Sequence, residues 1–538
     1  MNQLLRRVVV AGLTGALTVA VAWAGAGLAP VRTPRTPDPV KAKAGAKASK
    51  GARPADVSVR SAQQSAAAAA PKVPPPAGSV LAGAAKVSIE PQPGEGETWA
   101  KEGCRTFGED AAQGLMHVAD FRVKWPENPN CIYMGGYGLG PMNPITSWED
   151  PYGLWVRSVA IGDGTDTVVL TILDGTSFFG KYSSMCDGCG AFDLADSLGE
   201  ELGINPAGFM FASTHSHTSP DFIGGWGGVP DWYMTQVTEA MKTSVRDAVA
   251  SMRPAVVESG ETQARAFNGE RRDFYRSAEE QGLTWLRLVD TADAKKWSKA
   301  STIATVAAYG AHPVTADEGP GIADADFPAV FDKMVEDKFG GVGLFFQTGL
   351  GNLSPRGNKV EMGGGLAAMV PPVGTGTIVS NPDVKVARSL WDQPVTNSGL
   401  TALGTPGFFD RPFAQKPAVV EAGKNGNRKC RSASPVSVNT GVSAAKIGSV
   451  WITGAPGEVF SNLTNTIKER NPNGVTLPLA QVNDGLGYIM QFFETDHAGR
   501  QVLGFVGDPL AEYEDAYSID ACFGEKVLET SIGLLGGM

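Results

Sequence analysis

Hydrophobic positions in this chain come in short continuous runs separated by turn-rich stretches. The runs "VRSVAI", "TVVLTIL", "GFMFAST", "STIATVAAYGA", "VGLFFQTG" and "SVWITGAPG" each have the length of one strand and little polar content, the pattern of central strands buried on both faces. Segments between them predict helices over Ala191–Leu202, Trp232–Met252, Pro328–Lys338 and Glu458–Arg470. Strands alternating with helices predict an α/β or α+β domain: a layered, mixed β-sheet core flanked by helices, with polar site residues where strands end and loops begin. The Gly-rich stretch from Lys359 to Gly376 reads as a surface insertion, and no internal repeat is evident.

The first 79 residues follow a different pattern. Arg6 and Arg7 precede an uncharged apolar run from Val8 to Pro30 with small-residue cleavage sequences at Ala22 to Ala24 and Ala24 to Ala26, which predicts an export signal in residues 1–30. The run is also long enough to cross a bilayer, so an uncleaved N-terminal anchor is the competing reading. Residues 31–79 are Ala, Pro, Lys and Ser with almost nothing large to bury, the composition of a disordered linker or cell-wall spacer. The folded domain is expected over 80–538, and no later segment has the length and apolarity of a membrane helix.

Charge and cysteine content narrow the function. Residues 1–88 hold twelve Lys or Arg against two Asp, leaving 34 basic and 54 acidic residues beyond them, a net −20 that makes a poor nucleic-acid binder. Six cysteines in an exported chain suggest three disulfides. Fifteen pairings are open, of which 104–131, 186–189 and 430–522 is the one expected. "CDGC" at Cys186 to Cys189 has no second such motif to complete a zinc ribbon, so a structural disulfide is preferred there.

Five histidines, at 117, 215, 217, 312 and 497, are few enough that their placement is informative. His215 and His217 follow the strand "GFMFA", and residues two apart in an extended segment project to one side, so one can hold a metal while the other acts as acid or base beside it. A structural hydrogen-bonded pair is the bland alternative. His312 follows a second strand, and Glu458 follows a third through a Pro-Gly turn, where it is expected at a helix start. Two or three histidines and one carboxylate, with a position left for water, is the set hydrolytic zinc typically takes.

Several segments resemble the neutral, non-lysosomal ceramidases, zinc amidases that cleave N-acylsphingosine into a fatty acid and sphingosine. "THSHTSP" at Thr214 to Pro220 resembles the family's "THTHSGP", "GNLSPR" at Gly351 to Arg356 its "GDVSPN", and "PGEVF" at Pro456 to Phe460 its "PGEF". "AAKVSIEP", "YMGGYG" and "LTILDGTSF" echo further family segments in the same order, so the resemblance spans roughly Ala82 to Gly524. It implies zinc held by His215, His312, Glu458 and Tyr488, with His217 as proton shuttle. Arg271, with Arg272 an almost equal match, and Tyr513 are implied as oxyanion stabilisers, and Ser354 as a positioner of water or substrate. It implies an acyl-amide lipid substrate, with peripheral contact to a membrane or cell envelope, and Phe222, Trp226 and Trp232 as candidate walls of its channel or equally as core. The 25 positions between Tyr488 and Tyr513 exceed the family's spacing, implying an insertion around "ETDHAGRQVLGF", and the ending soon after Cys522 leads to the expectation that the family's C-terminal β-sandwich is lacking.

Two hydrolytic alternatives share these residues: another acyl amide or an ester as substrate. A non-catalytic surface-binding protein is the alternative from another class. The acidic "DEGPGIADAD" beside His312 lacks EF-hand spacing and reads as a solvated loop.

Overall fold

All six apolar runs form strands, and alternate residues on each face different layers. A computed structural model describes residues 69–538 apart from 73, 105, 107–129, 138–140, 150, 273–277, 293–300, 317–320, 405–409, 426–427 and 496–511. The export signal or anchor expected in residues 1–30, most of the 31–79 linker, His117 and His497 lie outside the described residues.

The large sheet comprises β1 (Val80–Ser88), β2 (Trp155–Gly162), β3 (Thr167–Leu173), β4 (Phe209–Ser213), β5 (Arg253–Gln263), β6 (Gly282–Asp290), β7 (Thr302–Tyr309) and β8 (Val342–Gln347). Their order is β8-β7-β6-β5-β1-β2-β3-β4, with a ninth short strand, Thr377–Ile378, paired to β5. The β3–β4 and β7–β8 pairs are parallel and the remainder antiparallel, so the sheet is mixed. A second sheet follows, of β9 (Val384–Pro394), β10 (Ser437–Ile447), β11 (Val450–Gly454) and β12 (Thr476–Leu479), in that order.

The period-two alternation of strand side chains sorts them into layers. On β3, Val168, Leu170 and Ile172 meet Ile447, Ile452 and Leu477 of the second sheet. Val169 and Leu173 instead meet α1 (Ala191–Leu202) and α2 (Asp231–Ala250). On β7, Ala304, Val306 and Ala308 join the layer between the sheets. Ala307 and Tyr309 pack on α3 (Asp326–Phe339) and α4 (Lys359–Met369) through Phe327, Phe331 and Leu366. The far face of the second sheet is covered by α5 (Ser461–Lys468) and α6 (Phe523–Gly537), whose Leu463, Ile467, Phe523 and Val527 meet Val438, Val442 and Ala444. Both sheets are thereby shielded by helices on their outer faces, with burial of each large aliphatic side chain contributing about 1.5–3 kcal/mol.

Residues 480–483 bring the two edges of the large sheet together. The Ala480 N–H donates to the carbonyl of Gln347 at the end of β8 (2.8 Å), Val482 bridges to Ala212, and the Asn483 N–H donates to the carbonyl of Phe211 on β4 (2.7 Å). Strand ends that are remote in the sheet order therefore open onto one place.

Two readings of the sequence are corrected. The Gly-rich stretch is not a surface insertion, since its first part is α4, with Met362, Gly363 and Leu366 buried against α3. Gly363 permits that approach, because a Cβ there would lie 2.5 Å from the Phe327 carbonyl oxygen. Glu458 does not begin a helix either. The helix starts at Ser461, and Glu458–Val459 form a short strand paired in parallel with Tyr488–Ile489. The cysteines pair 104–131, 186–189 and 430–522.

A buried ion cluster anchors the loop after β3. Arg157 of β2 donates from Nη1 to Asp174 Oδ2 (2.8 Å), and its Nε lies 3.4 Å from Asp332 Oδ2 on α3. Burial raises the Asp332 carboxyl to about 8 even though the Arg157 charge opposes it. A carboxyl raised above its unfolded value stabilises the fold below that value, and this contribution is lost as pH climbs towards the folded one. Asp332→Asn removes the titration, so between pH 4 and 8 the wild type is expected to lose stability relative to the variant, by up to about 1.4 kcal/mol per pH unit. Urea unfolding of both proteins across this range checks it, and a constant difference between the two contradicts it.

Candidate metal centre

The polar residues arrive from the ends of β4, β7 and β11. His215 leaves β4 with φ of 65°, a left-handed conformation rare outside glycine, and its N–H donates to the Gly175 carbonyl (3.0 Å). Such strain persists only where surroundings impose it. Here the loop 174–177 does so: the His215 Nδ1–H donates to the Thr176 carbonyl (2.7 Å), while Asp174 of the same loop is fixed by Arg157. A carbonyl only accepts, so Nδ1 carries a proton, and in the neutral ring this leaves Nε2 with the lone pair.

His312 repeats the arrangement from the opposite side. Its Nδ1–H donates to the Leu350 carbonyl (2.7 Å) in the loop after β8. Its Nε2 lies 3.0 Å from Glu458 Oε2, and the His215 Nε2 lies 3.4 Å from the same oxygen. His217 Nε2 is 3.4 Å from His215 Nε2. Burial, with the Arg271 charge beside it, lowers His312 to about 4 against the pull of Glu458. Burial, followed by His215 and His312, holds His217 well below the usual imidazole range. Burial alone would raise Glu458, yet the adjoining His215 and His312 hold it well below the usual carboxylate range.

Two imidazole Nε2 atoms thus face a carboxylate at contact distance inside the protein. In their neutral forms the rings turn lone pairs to that carboxylate, which repel unless a positive centre lies between them, and burial disfavours placing the charge on His312. The donor set, two or three imidazole Nε2 atoms and one carboxylate oxygen, fits a divalent metal of the zinc type. Ligand atoms of His215, His217 and His312 all lie within 4.8 Å of one another.

Tyr488 and Arg271 border this cluster. The parallel pairing Glu458↔Tyr488 sends both side chains to one face. Arg271 Nη2 donates to Tyr488 Oη (3.0 Å) and to the Gly351 carbonyl (2.9 Å), while its Nε donates to Glu514 Oε1 (2.8 Å). Burial, reinforced by Glu458, raises the Tyr488 hydroxyl well above its ordinary value, with Arg271 opposing. Arg272, the near-equal match in sequence, instead pairs with Glu512, lies 3.7 Å from Glu514 and stacks 5.0 Å over the Phe460 ring. Tyr513 stands at the mouth, its ring 6.0 Å from Tyr488 and half exposed. Ser354 is not brought to this point: it sits on the short strand Leu353–Pro355 opposite Gly269 and does not line the cavity.

A cavity runs from His215, His217 and Glu458 past Tyr488 to an apolar wall. Of the three aromatics considered from sequence, Trp226 lines it, whereas Phe222 is fully buried in the core and Trp232 packs against that core. Asp221 shapes the Trp226 loop by accepting the N–H groups of Ile223, Gly224, Trp226 and Gly228. The end of the acidic stretch near His312 is not solvated. Asp324 and Asp326 are buried, the first paired with Lys359 (2.6 Å) and holding Ser216 and Thr218 through its carbonyl.

Sequence reasoning missed Gln481, which lines the cavity with its amide nitrogen 3.2 Å from His215 Nδ1 and its Oε1 accepting from Ser177 (2.9 Å). It also missed that "LDGTS" and "GLGN" act through carbonyls. Gly136 backs His217, since a Cβ there would lie 2.3 Å from the ring Cγ at a φ of 97°. Gly136→Ala is therefore expected to displace the His217 ring while His215, His312 and Glu458 stay in place, and to cost about 1 kcal/mol or more of stability. A crystal structure of the variant with an unmoved His217 would count against this.

No protein-family model and no curated protein matches the chain. Solved structures do. A structure described as "Ceramidase complexed with C2" matches with a TM-score of 0.57 and 13% identity, covering 87% of this chain and 76% of the other. The neutral ceramidase from Pseudomonas aeruginosa matches with a TM-score of 0.55 and 14% identity, over 87% and 75%. The chain has the fold of the neutral ceramidases.

Proposed function

We propose that this protein is an exported zinc-dependent amidase that hydrolyses the N-acyl bond of ceramide-like lipids. One observation carries the reading: His215 and His312 each commit Nδ1–H to a carbonyl and aim Nε2 at one oxygen of Glu458. His215, His312 and Glu458 would hold the metal, with Tyr488 beside them. When bound, zinc supplies a Lewis acid that acidifies water and polarises an acyl carbonyl.

The chain's own groups account for the rest. His217, kept neutral by its surroundings, accepts the proton of the attacking water at Nε2 and returns it to the departing amine nitrogen. Arg271, fixed by Glu514 and the Gly351 carbonyl, holds the Tyr488 hydroxyl and adds positive charge where the oxyanion develops, with Tyr513 at the mouth. The apolar wall suits an alkyl chain. A role for Ser354 is limited to shaping the backbone that supports His312, whose N–H donates to the Leu353 carbonyl (3.0 Å). Export is supported by the three disulfides, which persist in oxidising compartments.

The test compares the purified full chain with His217→Ala and Glu458→Ala, using a fluorogenic N-acylsphingosine. His217→Ala is expected to keep its zinc while kcat falls by roughly 10²–10⁴-fold. Glu458→Ala is expected to lose both zinc and activity, and chelation of the wild type should abolish hydrolysis until zinc is restored. Hydrolysis that survives complete metal removal sinks the proposal.

A further inference from the structure

The cavity wall formed by Leu400, Phe413, Leu486 and Ile519 belongs to one apolar cluster, yet it includes a guanidinium. Arg411 is 2% exposed and hydrogen-bonds Asp484 and Asn439 rather than any proposed metal ligand. Its Nε and Nη2 donate to Asp484 (3.1 and 2.7 Å), and Nη2 also donates to the Asn439 carbonyl. Asp484 is further satisfied by the Gly180 N–H (3.0 Å), the Gly485 N–H (3.2 Å) and the Thr440 hydroxyl (3.0 Å). The carboxylate therefore locks the guanidinium plane and balances its charge.

Nη1 is left over. It makes no hydrogen bond with the described residues, and it is not among the sealed, unsatisfied atoms that Arg157, Arg272 and Arg287 contain. Arg411 lines the cavity, and this donor, neither paired nor sealed, is the atom it can offer there. A plain hydrocarbon filling this wall would strip Nη1 of water and return nothing, at the cost of an unsatisfied charged donor.

We propose that Arg411 forms an acceptor subsite: the non-reacting arm of the substrate carries a hydroxyl or carboxylate oxygen that Nη1 binds. This deepens the amidase reading and rests on it for the identity of the reacting end. Because Asp484 balances the charge, a neutral hydroxyl is accommodated as well as an anion.

Binding rather than turnover tests it, so that a failure of the amidase reading leaves the result legible. The full chain is titrated calorimetrically with non-hydrolysable linear alkyl ketones of increasing chain length, tipped with methyl, hydroxyl or carboxylate. At the length that reaches Arg411, oxygen-tipped probes are expected to bind about tenfold or more tighter than methyl-tipped ones. That advantage disappears in Arg411→Met/Asp484→Asn, which removes the ion pair as a unit. Arg411→Lys, which keeps a cation for Asp484 but removes Nη1, serves the same purpose if the double variant does not fold. Equal or tighter binding of methyl tips at every length, or an advantage that survives in the variants, overturns the proposal.

Discussion

Each of two imidazoles gives its Nδ1 proton to a backbone carbonyl, and everything else at the site follows from that constraint. With a proton fixed at Nδ1, the neutral rings of His215 and His312 turn Nε2 lone pairs to the interior, and both Nε2 atoms meet Glu458 Oε2. The carbonyls that impose this, Thr176 and Leu350, lie on loops after β3 and β8, near opposite edges of the large sheet. Only the curl held by residues 480–483 lets two such loops orient two histidines towards a single oxygen. Tautomer and sheet curvature are thereby one problem with one solution, and outer groups of this kind set the orientation of metal ligands generally.

The same logic links the core to the chemistry. Arg157 fixes Asp174, Asp174 begins the loop that turns Thr176 towards His215, and the strained φ of His215 is sustained by that loop. Backbone strain recurs at Asp326, Gln481 and Asn483, the other described non-glycine residues with positive φ. Gln481 lines the cavity, and Asn483 closes the sheet edge beside it. The strain is concentrated where strand ends must turn sharply towards the centre, as expected when a rigid scaffold over-determines a functional loop.

Much of this was legible in the sequence. The strands were, because a run such as "TVVLTIL" buries both faces and has no other economical use. His215, His312 and Glu458 were as well, because each follows an apolar strand and strand ends are where sheets place polar groups. The local structure at Glu458 was not: a Pro-Gly turn before apolar residues looks like a helix start, and only the partner strand at Tyr488, far along the chain, makes it a strand. Helix α4 was hidden because its glycines have poor helix propensity, and their value, close approach to α3, exists only in three dimensions. The orienting carbonyls carry no signature because every residue has one, and Arg411 gives no hint in sequence that Asp484 will hold it at a cavity wall.

Zinc-edge X-ray absorption on the purified full chain tests the central claim most directly. The account predicts one zinc per chain bound through two or three imidazole nitrogens and carboxylate or other oxygen, at about 2.0–2.2 Å and without sulfur, with one nitrogen lost in His312→Ala. A chain that takes up no zinc, or whose zinc spectrum is unchanged by His312→Ala, contradicts it.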